Sequence, residues 1–245
     1  MKILVCITHV PDTTTRISFT DNNTKFNGAG VQFIIGPYDD YALARAVELK
    51  ETSGGTVTVI NVGGPDTEPT IRKALAIGAD DAIRINAEPT DGWFVAQQIA
   101  EIAKQNNYDL ILMGRESIDY NGGQVHGMVA EILGMPSVSP VMQLEINGTT
   151  AKVAREIEGG KEYLELSLPF VAGCQEPIAE WKIPNMRGIM SARTKPLQVM
   201  EPFTNEQMTS LVNYELPAAK SGCKMIAADS PELLVSALKT EAKVI

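Results

Sequence analysis

A parallel α/β layer with helices on both faces, extended by a β-hairpin and a long C-terminal arm, is the architecture that this 245-residue sequence predicts. Three features carry it. Short apolar, β-branched runs alternate with helical periodicity through residues 1 to about 140. The turn dipeptide Asn147-Gly148 then separates two alternating segments, a hairpin signature. Beyond residue 175 the periodicity fades until a short helix signal near the C-terminus.

Met1 to Ile7 is a compact apolar run that the polar, turn-prone stretch Thr8 to Thr15 ends, so it reads as a buried strand. After Gly36-Pro37, the spacing of Ala42, Leu43, Ala46 and Val47 predicts a helix from about Tyr38 to Thr52, with Pro37 suited to its first turn and Gly54-Gly55 to its end. Thr56 to Val62 is the next strand, and Gly63-Gly64-Pro65 turns it into a helix over Glu68 to Ile77, with Ile71, Ala74 and Leu75 on one face. The unit repeats with a strand at Ala82 to Ile85, a helix at Gly92 to Lys104 and a strand at Asp109 to Gly114. Strands alternating with helices of this length imply right-handed crossovers and a parallel sheet.

From Val141 the pattern becomes alternating: Gln143 to Ile146, Thr150 to Arg155, and a further strand over Tyr163 to Phe170. The domain is expected to span residues 1–174, with the hairpin region at 141–170, and the arm residues 175–245. Residues 175–230 carry Pro177, Pro184, Pro196, Pro202 and Pro217 with little periodicity and no strong strand, too long a loop for a compact domain unless it wraps something. Ser230 and Pro231 open a last helix, with Leu233, Leu234, Ala237 and Leu238 on one face.

Composition removes several classes of function. With 21 Lys+Arg against 30 Asp+Glu the net charge is −9, the opposite of a nucleic-acid footprint. Three scattered cysteines without a CxxC suggest neither a disulfide framework nor zinc. No apolar run approaches the roughly 20 residues that span a bilayer, and no signal-peptide pattern opens the chain, so no membrane insertion and a cytoplasmic location are expected. His9 and His126, the two histidines, are expected in ordinary loop and helix positions, and Cys6 in a buried strand reads as a small hydrophobe.

In a parallel sheet, ligands bind at the carboxyl ends of the strands. Three loops there stand out: Thr8 to Asp12, Gly63 to Pro65, and Gly114 to Gln124. The last combines glycines with polar side chains and leads into a helix beginning near Gln124, so Gly122, Gly123 and that helix N-terminus would suit a phosphate. Neither a Walker nor a Rossmann glycine pattern is present, and no nucleophile–base set specifies an enzyme.

The ordered motifs resemble the β subunit of electron transfer flavoproteins over nearly the whole chain. The resemblance rests on Lys2 to Cys6 with Val10-Pro11-Asp12, on Gly36 to Asp39 before an Ala-rich helix, and on Thr70 to Asp80. Asp109 to Gly114, Ser117-Ile118-Asp119, Gln124, Arg155 to Gly160 and Arg187 to Arg193 extend it.

The resemblance implies an adenine nucleotide α-hydrolase-like layer in a heterodimer whose larger α subunit holds most of the FAD. This subunit would bind AMP and shape one wall of the flavin site. It implies a non-enzymatic carrier that takes electrons from flavin dehydrogenases, such as acyl-CoA dehydrogenases, and passes them to a quinone oxidoreductase or another acceptor. The arm would embrace the α subunit. The cofactor-binding residues are then expected to be Cys6, Gly36, Pro37, Tyr38, Asp39 and Gly63, with the loop Gly114, Arg115, Glu116, Ser117, Ile118, Asp119, Tyr120, Asn121, Gly122, Gly123, Gln124 and Val125. Glu156 would approach the flavin or a basic residue of the α subunit. Ile183, Met186, Arg187, Ile189 and Arg193 would form the partner-recognition segment, with Met186 as its anchor and Arg187, Arg193 and Lys195 steering acidic partners.

Departures shape these expectations. Gly36 stands where the family's pattern often has Asn, and Tyr120, Gly122 and Gly123 replace small or amide side chains, which shifts nucleotide contacts toward backbone. Electron-bifurcating members put a second FAD in place of AMP; their Asp-Gly-Asp-Thr-type loop is not reproduced by Asp119 to Gly122. The alternative outside the family is a stand-alone adenine-nucleotide-binding regulatory protein, which would need no arm.

Overall fold

The computed structural model describes every residue except 205 and 221. Its centre is a nine-stranded, mostly parallel sheet whose strands lie in the order 160–167, 150–157, 137–147, 170–174, 110–114, 2–6, 56–62, 81–85 and 197–200. Strand β1 (Lys2–Cys6) has β6 (Thr56–Val62) on one side and β8 (Leu110–Gly114) on the other, both parallel, and β7 (Asp81–Ile85) extends the β6 side. The chain fills one side of β1 first and then returns to the other, so a crevice opens between the carboxyl ends of β1 and β8.

Strand β1 shows why the layer is sandwiched. Ile3, Val5 and Ile7 enter one hydrophobic cluster with α1 (Pro37–Ser53) and α2 (Glu68–Ile77). Leu4 and Cys6 enter the other with α3 (Gly92–Asn106) and α4 (Val125–Leu133). Successive side chains point to opposite faces, and both faces are buried, so a continuous apolar run is what this strand requires.

Two small ladders precede α1: β2 (His9–Pro11), inside the expected turn-prone stretch Thr8 to Thr15, pairs with β5 (Phe33–Ile35), and β3 (Phe19–Thr20) pairs with β4 (Lys25–Phe26). Strands of two or three residues leave no periodicity to read. The expected strand at 163–170 is two strands. β11 (Gly160–Ser167) closes the antiparallel hairpin region with β9 (Ser137–Asn147) and β10 (Thr150–Ile157), whereas β12 (Phe170–Cys174) re-enters the parallel sheet between β9 and β8.

The absence of strands expected over 175–230 is also corrected. Helix α5 (Met186–Ala192) docks on α2, and β13 (Leu197–Met200) adds a parallel edge beside β7. Their docking is mutual capping. Arg72 of α2 donates to Ala192 O at 3.0 Å and Lys195 O at 2.8 Å, while Lys195 Nζ donates to Leu75 O and Ala79 O at the C-terminal end of α2. A cation at a helix C-terminus meets orphan carbonyls and the negative dipole end. Gly188 makes the approach possible, since a Cβ there would stand 2.2 Å from Ala76 O. A final helix, α6 (Pro231–Ala237), follows the exposed segment beyond Met200. No helix among the described residues is long and apolar enough to cross a membrane.

Candidate functional site

At the crevice between β1 and β8, one carboxylate holds three loops together. Asp39, in the first turn of α1, is 3% exposed. Its Oδ2 accepts from Thr8 N at 2.8 Å and Thr8 Oγ1 at 2.6 Å, and its Oδ1 accepts from Gly114 N at 2.8 Å. The acid thereby joins the ends of β1 and β8 to the N-terminus of α1, where a negative charge is favoured. Burial nevertheless dominates its titration and lifts its pKa to about 6, against the lowering effect of those three hydrogen bonds. Neighbouring Asp40, also lifted to about 6 by burial, has Lys73 Nζ at 3.8 Å.

The close approach explains two glycines. A Cβ on Gly114 would stand 2.6 Å from Asp39 Oδ1 and 2.7 Å from Tyr38 Cβ; one on Gly36 would stand 2.4 Å from Thr8 Oγ1. Pro37 is in the opening turn of α1 and Gly63 follows β6, where its backbone carbonyl accepts from Arg84 Nη1 at 2.8 Å. Cys6 reaches the same strand ends through its backbone, but its thiol is buried on the α3/α4 side, and that burial raises its pKa well above the ordinary value.

Beyond Gly114 the loop divides in two. Arg115, Glu116, Ser117 and Ile118 are partly buried, and Arg115 donates from Nη2 to Glu116 Oε1 at 2.8 Å while its guanidinium lies 5.0 Å from the Tyr38 ring centroid. Ser117 Oγ hydrogen-bonds Asp119. Asp119, Tyr120, Asn121, Gly122, Gly123 and Gln124 are exposed, with Asn121 and Gly123 left-handed at φ 48° and 60°. Val125 opens α4, whose N-cap Gln124 makes no side-chain cap, leaving the first-turn N–H groups without that partner.

Sequence reasoning placed Thr8 in a candidate loop without assigning it a partner, and missed Asn61, Arg84 and Gln175. Asn61 is buried at the carboxyl end of β6; its Nδ2 donates to Ile7 O at 2.9 Å and its Oδ1 has no partner. A buried amide next to the last residue of the strand Thr56–Val62 was the available signal. Gln175 is buried and links Arg115 to Glu156, so the exposed Glu156 is tied to the loop. His126 contacts Ser137 Oγ at 3.3 Å, burial lowers its pKa, and no metal-binding cluster occurs among the described residues.

The expected recognition residues lie elsewhere. Ile183, Met186, Arg187, Ile189 and Arg193 are exposed on and around α5, which packs against α2. A cleft of about 550 Å³ between the two helices is lined by Arg72, Lys73, Pro184, Ile189 and Arg193. Lys195 is not free to steer partners, because its ammonium is committed to the end of α2.

A sequence profile described as "Electron transfer flavoprotein domain" matches residues 24–203. The chain is 36% identical to "Electron transfer flavoprotein subunit beta" of Bacillus subtilis (strain 168), covering 100% of both chains. It is 36% identical to the subunit of the same name from Syntrophomonas wolfei, over 97% of this chain and 94% of that one. It is also 33% identical to "Acryloyl-CoA reductase electron transfer subunit gamma" of Anaerotignum propionicum, over 82% of this chain and 78% of that one. The parallel sheet, the crevice between β1 and β8 and these full-length likenesses agree, and the chain belongs to the electron transfer flavoprotein β-subunit family.

Proposed function

We propose that this protein is the β subunit of a heterodimeric electron carrier, binding AMP at the β1/β8 crevice and lending one wall to an FAD held mostly by an α subunit. The observation that carries the nucleotide reading is the buried, unpartnered Asn61 Oδ1 beside Gly63, a hydrogen-bond acceptor awaiting a donor in a site whose neighbouring loops are already braced by Asp39. The uncapped N-terminus of α4, entered through Gly122 and Gly123, supplies the complementary place for a phosphate. Asn61, Gly63 and the Gly114–Val125 loop would hold the nucleotide; Asp39 holds the loops.

A bound flavin supplies one- or two-electron transfer, which the protein need only position and tune. The residues here suit that division of labour, since both cysteine thiols in the sheet are raised in pKa by burial and so disfavoured as nucleophiles. Glu156 on the hairpin supplies the negative charge toward the flavin side. The exposed apolar residues Ile183, Met186 and Ile189 would meet flavin dehydrogenases, with Arg187 and Arg193 favouring acidic surfaces. A quinone oxidoreductase or another acceptor would take the electrons onward, and the exposed arm would embrace the α subunit.

Acid extraction of the purified heterodimer tests the reading. One AMP and one FAD per heterodimer is the expected result. Absence of both AMP and a second FAD defeats the nucleotide assignment, and two FAD per heterodimer replaces AMP with the bifurcating alternative.

A further inference from the structure

One buried side chain hydrogen-bonds to both the Gly114–Val125 loop and the β10/β11 hairpin. Gln175 follows β12 and is 7% exposed. Its backbone is fixed: the N–H donates to Val141 O at 3.0 Å, and the carbonyl accepts from Ile178 N at 3.0 Å. Its amide lies between opposite charges. Oε1 accepts from Arg115 Nη1 at 2.9 Å, and Nε2 donates to Glu156 Oε2 at 2.5 Å.

Only one orientation of an amide satisfies a cation on one side and an anion on the other, so each partner specifies where the next one sits. Arg115 is itself set by the nucleotide loop. Its backbone N–H donates to Cys174 O at 2.9 Å, its guanidinium grips Glu116 and it lies over Tyr38 beside Asp39. Glu156, by contrast, is exposed near the end of the β10/β11 hairpin.

We propose that Gln175 is a positioning residue that couples occupancy of the Gly114–Val125 loop to the placement of the Glu156 carboxylate, so that nucleotide bound on one side of the relay tunes the flavin on the other. This rests on the nucleotide and flavin reading above. A ligand that orders the loop fixes Arg115, the guanidinium fixes the amide, and the amide fixes the carboxylate. Coupling of this kind is reciprocal, so a change at Glu156 must also be felt in nucleotide affinity.

The test uses the full chain with its partner subunit, stripped of nucleotide, as wild type, Glu156→Gln, Gln175→Leu and the double variant. AMP affinity is read by calorimetry and the flavin midpoint potential is read with and without AMP. Leu keeps the bulk of Gln175 and removes both hydrogen bonds; Gln175→Met serves if the Leu variant does not fold. Glu156→Gln is expected to weaken AMP binding about 5-fold or more with Gln175 present, and to act within about 2-fold once Gln175 is replaced. The AMP-dependent shift in potential seen in wild type should vanish in Gln175→Leu. An equal effect of Glu156→Gln in both backgrounds, or a wild-type AMP response in Gln175→Leu, overturns the relay and leaves the nucleotide site standing. A heterodimer that binds no AMP overturns both.

Discussion

Strand β8 and the segment after Met200 both carry large apolar side chains, and the fold treats them oppositely. Leu110, Ile111 and Leu112 are at most 1% exposed, whereas Met208, Val212 and Met225 are 67%, 80% and 85% exposed. The first run pairs on both sides with parallel strands and is covered by helices on both faces. The second is tied to the layer by a few polar contacts: Phe203 N to Gln98 Oε1 at 2.8 Å, Met208 N and Thr209 N to Asp91 Oδ2 at 2.6 and 2.8 Å, and Tyr214 N to Asn23 O at 2.7 Å. Tyr214 also stacks on Phe19 with centroids 4.7 Å apart. The lesson is that this chain buries one apolar run within its own layer and leaves the other exposed, as the proposed embrace of an α subunit would require.

The largest expected effect is in the buried region. Asp39→Asn replaces one acceptor oxygen by an N–H donor facing backbone N–H groups, which should cost about 2 to 4 kcal/mol in denaturant unfolding of the heterodimer and abolish nucleotide retention. The same group gives a pH signature. A carboxyl lifted from 3.8 to about 6 binds its proton more tightly folded than unfolded, so its stabilising contribution is fully present below about pH 4 and lost as pH rises through 6. The stability difference between wild type and Asp39→Asn should therefore narrow from pH 5 to pH 7; a difference that stays flat over that range would place the carboxyl's pKa at or below its ordinary value.

A smaller effect separates the regions. Asp91 caps α3 through Phe94 N at 2.7 Å and holds the Met208-Thr209 segment with its other oxygen. Asp91→Ala should cost about 1 kcal/mol through the lost cap and speed amide hydrogen exchange over residues 206–214, while β1 and β8 keep their protection. Equal loss of protection in both would show that arm and layer unfold as one unit.

The smallest stability effect belongs to Met186, 74% exposed on α5. Met186→Ala should shift unfolding by no more than about 0.5 kcal/mol and weaken flavin reduction by a dehydrogenase by about 1 to 2 kcal/mol. Unchanged reduction, or loss of the heterodimer, would remove Met186 from the recognition role.

Much of this was legible beforehand, for reasons the elements make plain. Runs such as 3–7 and 110–113 are apolar because both faces of a parallel strand are covered, and the helix periods at 42–47 and 71–75 face the same sheet. The glycines at 36 and 114 could be read as turns at strand ends, though nothing local showed that a carboxylate three residues from one would press against the other. The short helix α5 and strand β13 were illegible because each gains its stability from a partner distant in sequence: Arg72 and Lys195 cap across more than a hundred residues, and Leu197 finds Ala82 only in the assembled sheet.

By itself the sequence determined the alternation of strands and helices, the hairpin at Asn147-Gly148 and the place of the glycine-containing loop after β8, since these follow from local periodicity and turn chemistry. The tertiary structure alone decided that β12 threads between β9 and β8, that Asp39 clamps Thr8 to Gly114, and that Gln175 bridges Arg115 and Glu156. Those contacts join residues 19 to 75 positions apart, and the hydrogen-bonding needs of a polar side chain name no partner until the burial of its surroundings removes water from the choice.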